Sequence, residues 1–154
     1  MGKPTRGFVL AGAGLLTAAA PFVMAPEPAA AAVNTDTESA QLTFVDNNGT
    51  TVTCTLTNSS NHDTTEKTAT ASGATGGDEQ CFDPTFTFYA VTISAKDENG
   101  VTHTTTASAT SQFSILARLD HAVSSVHTTV HVAFGNCNPG ASASCEMTVA
   151  AAPK

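Results

Sequence analysis

His127 and His131 stand four residues apart in the segment VHTTVH, a spacing that on a helix would let both imidazoles bind one metal ion. The β-branched residues around them favour a strand instead. On a strand the two side chains share a face but lie roughly 13 Å apart, at ~3.3 Å per residue. His103 or His121 could complete a site with one of them, but the sequence selects neither. We therefore predict no metal site and no cofactor.

Asp120, His121 and Ser124, with Ser125 beside it, supply the residue types of a hydrolytic triad. Such a triad presents its nucleophile on a strained turn, and the chain contains no G-x-S-x-G elbow. In a sequence rich in serine and threonine, these residue types meet by composition alone. We predict that the protein has no catalytic residues and is not an enzyme.

Acidic turns are the third group that could do chemistry. Asp78-Glu79 with Asp83, and the turn 97–100 with its sequence DENG, offer carboxylates that calcium could use. Calcium takes six to eight oxygens, and the D-x-[DN]-x-[DN]-G spacing is missing. We interpret these residues as solvated turn acids.

Two asparagines, Asn48 and Asn58, each begin an N-x-[ST] triplet, the acceptor pattern for N-glycosylation. The pattern arises easily in a chain with this much threonine and serine. It has a meaning only in a eukaryotic source.

All four cysteines follow the N-terminal export signal described below. An even number of cysteines in an exported chain predicts that they pair, here as two disulfides. Of the three possible connectivities we expect Cys54–Cys81 and Cys137–Cys145, since the second pair encloses the turn Asn138-Pro139-Gly140. Chain entropy gives roughly 3.5 kcal/mol for the longer loop and roughly 2.5 kcal/mol for the shorter. The alternative is a four-cysteine zinc site, but no C-x2-C or C-x4-C pair occurs.

The first 32 residues have the three parts of a secretory signal peptide: a basic start, an uncharged apolar stretch over 7–26, and small residues before a cleavage point after Ala32. An uncleaved membrane anchor is the alternative, because the apolar run is nearly long enough to span a bilayer. Its many alanines and glycines and its Ala-Pro-rich exit favour a leader. We predict a secreted, extracellular protein.

Removal of 32 of the 154 residues leaves 122, with 4 basic and 12 acidic residues and a net charge of −8. Nucleic acids and anionic lipids are bound by Lys and Arg, so this charge excludes nucleic acid, and membrane after signal cleavage, as partners. We expect a monomer whose partner, if it has one, is a protein or a carbohydrate.

Alternating apolar residues predict an all-β chain. A flexible N-terminus is expected over 33–40, one domain over 41–150 and a C-terminal tail over 151–154. The central hairpin, 85–110, turns at Asn99-Gly100. Strands are predicted at 41–46, 51–57, 64–71 as an edge strand, both arms of the hairpin, 112–119, 123–134 and 145–149, with a flexible loop at 72–79.

In the first arm of the central hairpin, the apolar residues switch from even-numbered to odd-numbered positions. Phe86 and Phe88 share one face, whereas Tyr89, Val91 and Ile93 share the other. A strand buries both sets on one side only with an inserted residue, so we predict a bulge or a sheet switch near Phe88-Tyr89.

The predicted fold is a two-sheet, immunoglobulin-like sandwich of seven or eight antiparallel strands, with a small closed barrel as the alternative. Tryptophan is absent and the Cys54–Cys81 spacing is too short for the immunoglobulin cysteine pattern. The predicted function is non-enzymatic binding through loops or a threonine-rich face such as 102–106. The alternative is a small-ligand carrier or inhibitor whose cleft between the sheets is lined by Phe86, Phe88 and Tyr89, and an enzyme is the third possibility.

Overall fold

A computed structural model describes residues 33–110 and 112–154, so the predicted signal peptide, 1–32, lies outside the described residues. The described chain forms eight strands and one short 3₁₀ helix, Glu79–Phe82. The strands are β1 Val33–Val45, β2 Thr51–Asp63, β3 Thr68–Gly77, β4 Thr87–Asp97, β5 Thr102–Ala109, β6 Phe113–Arg118, β7 Val123–Phe134 and β8 Glu146–Ala151.

The strands form two antiparallel four-stranded sheets. The first sheet has the order β1-β2-β3-β6 and the second has the order β5-β4-β7-β8. The sheets face each other, with β2 against β7 and β8, and β3 against β4 and β7. Because the two sheets are separate and not closed into one ring of strands, the fold is a β-sandwich, and the closed-barrel alternative is wrong.

The core follows the predicted alternation along the strands. Val52, Cys54 and Leu56 of β2 are fully buried, as are Val130 and Val132 of β7. Strand β7 has the predicted bounds, and Thr128 occupies an inward position among its valines. Period-2 burial of apolar side chains between two sheets therefore stabilises this sandwich.

Four segments differ from the sequence predictions. Residues 33–40, expected to be flexible, pair along their whole length with β2. Strand β3, expected as an edge, lies between β2 and β6, and 72–77 belong to it rather than to a loop. The tail 151–154 begins with the last residue of β8. These segments carry few large apolar side chains, and their pairing depends on partner strands that are distant in sequence.

The predicted bulge near Phe88-Tyr89 is absent from the described strand. There β4 pairs in regular register with β5 and β7, and the only register shift recorded between β4 and β7 is at Lys96/Asp97. Thr87 takes the inward position before Tyr89 and is buried, so the odd-numbered residues of this strand face the core from its first residue onward. Phe86 and Phe88 consequently point away from the core.

The β1–β2 and β4–β5 turns have the same construction. Oδ1 of Asp46 accepts hydrogen bonds from the backbone N–H groups of Asn48 and Thr50, at 2.9 and 2.8 Å. Oδ1 of Asp97 accepts the equivalent two bonds, both at 2.9 Å. A glycine with positive φ completes each turn, +86° in the first and +84° in the second. The repeated D-x-N-G sequence therefore sets the register of both hairpins.

Both predicted disulfides are confirmed. Cys54–Cys81 joins β2 to the 3₁₀ helix, and Cys137–Cys145 closes the loop between β7 and β8. No free cysteine remains among the described residues. Two disulfides indicate that the domain matures in an oxidising environment. Within the part of the chain that the structure describes, no helix has the length and apolar character needed to cross a bilayer.

Candidate binding surface

One end of the sandwich carries both disulfides. The β1–β2 turn meets the loop after β7 there, where the N–H of Asn47 donates to the carbonyl of Asn136 at 2.9 Å and the N–H of Asn138 donates to that of Val45 at 2.8 Å. The 3₁₀ helix is tied to β2 at the same end through Cys54–Cys81. We call this the disulfide end; it comprises 46–50, 78–88 and 133–147. The opposite end holds Val33 and Lys154.

Three phenylalanines are exposed at the disulfide end. Phe82, Phe86 and Phe88 have exposed fractions of 52%, 40% and 48%, whereas the other three phenylalanines of the described chain, Phe44, Phe113 and Phe134, are buried. A tight turn joins the exposed residues, because the carbonyl of Asp83 accepts the N–H groups of Phe86 and Thr87. Three large apolar side chains exposed within the short segment 82–88 differ from the single scattered ones that are ordinary on protein surfaces, and such groups are typical of interaction surfaces.

Phe88 is fixed against the loop that follows β7. The N–H of Gly135 donates to the carbonyl of Phe86 at 2.7 Å. A Cβ at position 135 would lie 3.2 Å from the Phe88 ring, so glycine is the residue that lets the ring lie over the backbone there. The side chain is therefore held by packing even though its outer face is open to solvent.

Phe88 forms a ridge between two shallow grooves. One groove, of about 310 Å³, lies between Phe88 and the Cys137–Cys145 loop and is also lined by Pro139, Ser142 and Glu146. The other, of about 590 Å³, runs over the outer face of the second sheet, along Ala90, Ser108 and His131. Both grooves are open, which suits contact with a chain segment better than enclosure of a small molecule.

The basic residues of the described chain lie on one side, whereas carboxylates occur toward both ends. The disulfide end carries five carboxylates and no lysine or arginine among its residues in the described ranges: Asp46, Asp78, Glu79, Asp83 and Glu146. All four basic side chains of the described residues lie toward the opposite end: Lys67, Lys96, Arg118 and Lys154. The exposed phenylalanines therefore stand in a negative field.

The predicted histidines do not converge on one point. His103 lies 3.1 Å from Asp97, His131 lies 3.1 Å from Glu146, and His121 lies 3.8 Å from Glu98. His127 shares the outer face of β7 with His131. Within the described residues, no three His, Cys, Asp or Glu side chains are arranged to hold a metal ion.

Ser124, the serine of the triad-like group, makes hydrogen bonds to the backbone. Ser124 Oγ lies 3.0 Å from the carbonyl of Lys96 and 3.0 Å from that of Asp97, and its hydroxyl donates to these oxygens. This contact ties β7 to the end of β4. The hydroxyl is thus directed at backbone carbonyls rather than at an imidazole.

Asp97 is a buried turn residue. Burial by itself would raise the pKa of its carboxyl, but hydrogen bonds from the Val101 N–H, from His103 and from the Asn99 N–H outweigh burial, so the net pKa is lowered. Asp78 and Asp83 also accept backbone N–H groups, from Thr53 and Thr85. Asp97 and Asp83 therefore hold turns, whereas Asp78 ties the start of the 3₁₀ helix to β2.

The three residues of the expected cleft lie on opposite sides of the second sheet. Tyr89 is only 4% exposed; its hydroxyl lies 2.7 Å from Thr75 Oγ1, and its ring packs against Phe113. Phe86 and Phe88 are on the outside. The structure therefore leaves Phe86 and Phe88 exposed on the outside and buries Tyr89 in the core, so the three do not line one cleft between the sheets.

The threonines of β5 form part of a flat polar face. Thr102, Thr104 and Thr106 are exposed, and Thr106 stands in register with Thr92 of β4, which in turn pairs with Thr129 of β7. Hydroxyl-bearing side chains thus form a row across three neighbouring strands. This face adjoins the groove beside His131 and Phe88.

A buried polar row on β2 has no counterpart in the sequence predictions. Asn58, Ser60 and His62 continue the inward positions of Val52, Cys54 and Leu56, and all three are buried. Burial lowers the pKa of His62, and the nearby Asp63 carboxylate opposes this effect. Strict alternation from Val52 could have identified this row. Its polar residues instead suggested a strand that ended at Thr57.

The chain matches no protein-family model, no curated protein and no solved structure. The arrangement of its own side chains is thus the basis for any functional conclusion. A rigid surface with exposed aromatic rings, open grooves and carboxylates at its edge can bind a complementary surface. The described hydroxyls, imidazoles and carboxylates make structural contacts or stand apart from one another.

Proposed function

We propose that this protein is an exported, non-enzymatic binding domain that acts through its disulfide end. The observation that carries the proposal is the group of three exposed phenylalanines on the part of the domain that both disulfides fasten. Aromatic side chains are enriched at the centres of protein interfaces, where they contribute much of the binding energy. A rigid scaffold lowers the entropy lost on binding.

Export is supported by the tripartite pattern of residues 1–32 and by the two disulfides. Intact mass spectrometry of the protein recovered from the culture medium, before and after reduction, tests this part of the proposal. A chain that starts at Val33 with both disulfides formed is expected. A chain that retains Met1, or that carries free thiols, would contradict export.

An immunoglobulin-like sandwich is the architecture that we propose for this domain. In the second sheet, the order β5-β4-β7-β8 corresponds to the C′-C-F-G order of variable-type immunoglobulin domains. The first sheet departs from that pattern, because β3 lies between β2 and β6, which correspond to the adjacent strands B and E. The proposed relation is therefore to an immunoglobulin-like sandwich with one inserted strand.

Site-specific photo-crosslinking tests the binding surface. Benzoylphenylalanine in place of Phe88 keeps an aromatic ring at the disulfide end, and the same probe in place of Leu116 serves as a control. Leu116 is 45% exposed but lies on the outer face of the first sheet. Irradiation in the medium of the producing organism should give an adduct at position 88 and none at position 116. No adduct at 88, or equal adducts at both positions, would refute the proposed surface.

A further inference from the structure

We propose that the partner of the disulfide end is a basic protein segment that carries apolar side chains between its lysines or arginines. This inference rests on the proposed binding function and specifies its partner. It is carried by the charge of this end, by the exposed rings and by the shape of the two grooves.

The charge of the disulfide end follows from the positions of the basic residues: carboxylates occur toward both ends, whereas all four described lysine and arginine side chains lie outside the disulfide end. The exposed carboxylates of Asp78, Glu79 and Glu146 border the phenylalanines, and no lysine or arginine of the described residues lies at this end to neutralise them. Glu146 stands in the same cross-strand row as Phe88, with Ala133 between them. Charges at the rim of an interface steer oppositely charged partners toward it and repel like-charged ones. An acidic or anionic partner is therefore disfavoured.

The exposed phenylalanine rings also favour a partner with basic and apolar side chains. The faces of aromatic rings attract ammonium and guanidinium groups, and arginine is the more frequent partner. The rings also offer apolar surface that an aliphatic side chain can cover. A segment that alternates basic and apolar residues would satisfy both the rings and the carboxylates around them.

The grooves fit an extended or single-turn segment. Phe88 separates a groove beside the Cys137–Cys145 loop from a longer groove along the second sheet, so side chains on both sides of a bound segment would have a place. Glu146 lines the first groove, and its partner His131 lines the second. The Cys137–Cys145 disulfide holds the wall of the first groove in position.

Selection from a random-peptide phage library on the purified secreted protein tests the inference. Selection on wild type is followed by depletion on the Phe88→Ser variant, and circular dichroism verifies that this variant is folded. Leu116→Ser, which trims an exposed apolar residue on the other sheet, is the control for loss of surface. We expect enriched peptides to combine lysine or arginine with apolar residues, and their affinity to fall at least ~10-fold for Phe88→Ser and to stay unchanged for Leu116→Ser.

Charge variants separate the inference from the proposed function. Glu79→Gln and Glu146→Gln should each weaken binding of an enriched peptide about threefold, and higher salt should weaken it further. Glu66→Gln makes the same charge change in the turn before β3, at the opposite end, and should leave the affinity unchanged. Neutral or acidic peptides that depend on Phe88, or binding indifferent to salt and to both variants, would overturn the basic partner and leave the binding surface standing. Failure to enrich any peptide that depends on Phe88 would count against both.

Discussion

Asn58 makes the most demanding test of the fold, because the sequence places it in a glycosylation triplet and the structure places it in the core. Its side chain is fully buried. The amide Nδ2 donates to Thr128 Oγ1 at 3.0 Å and to the carbonyl of Val149 at 3.2 Å, which joins β2 to both β7 and β8. We expect Asn58→Ala to destabilise the domain strongly.

The size of the effect follows from these contacts. Each of the two close hydrogen bonds contributes about 1 kcal/mol to the free energy of unfolding. Removing the amide group also leaves a cavity between the sheets, which costs about 1 kcal/mol more. The expected loss is therefore about 3 kcal/mol, which corresponds to a fall in melting temperature of about 10 °C for a domain of this size.

Urea unfolding followed by circular dichroism measures this loss. Asn61→Ala is the matched control, because Asn61 is on the same strand but on its outer side, where it accepts a hydrogen bond from Thr70 Oγ1. The control should lose less than ~1 kcal/mol. A loss below ~1 kcal/mol for Asn58→Ala, or equal losses for both variants, would refute an inward Asn58. An N-linked glycan on Asn58 of the folded protein would refute it independently.

Three further substitutions test other parts of the fold. Burial lowers the pKa of His62, so the unfolded chain binds a proton more readily and stability should fall as the pH drops below about 6.5; His62→Gln should remove this component from urea unfolding curves recorded across pH. Gly77 has φ +111° and a Cβ there would meet the Thr53 carbonyl, so Gly77→Ala should lower the free energy of unfolding by more than ~2 kcal/mol. Gly76 has open space around its Cα, so Gly76→Ala should change that free energy, measured by thermal unfolding, by under ~0.5 kcal/mol. Asp46→Ala should cost about 1–3 kcal/mol in urea, and Asp46→Asn less, because an amide oxygen can still accept the two turn bonds.

Local patterns were sufficient to predict the faces of most strands. Val52, Cys54 and Leu56 alternate with threonines, and a turn lies between Cys137 and Cys145, so both burial and disulfide pairing could be inferred from neighbours in the sequence. The interior position of β3 could not be predicted, because it depends on pairing with β6, whose paired residues are 40 to 50 positions away along the chain. Polar strands are specified by such distant partners rather than by their own composition.

At the candidate site, too, some features could be predicted from the local sequence and others depend on the folded chain. The alternation separated Phe86 and Phe88 from Tyr89, and in the structure the two phenylalanines are exposed whereas Tyr89 is buried. Their apolar character led to an inward assignment, and the small Thr87 was overlooked as the residue that faces the core. The negative charge of the disulfide end depends on the topology, because Glu79 and Glu146 are brought to one end only by the folded chain.

The positions of the disulfides and of the core residues support the proposed binding surface at the disulfide end. Near that end Phe44 stacks on Phe134 at 5.1 Å, and Tyr89 packs against Phe113, which stands in register with Gly73 near the middle of the first sheet. Toward the opposite end the inward positions of β2 are polar. Both covalent links thus stabilise the half of the domain at the disulfide end in addition to the apolar core, which continues through Ile93, Ala95 and Val126 toward the opposite end. That half can keep apolar side chains exposed in a fixed arrangement, because its stability does not depend on burying them.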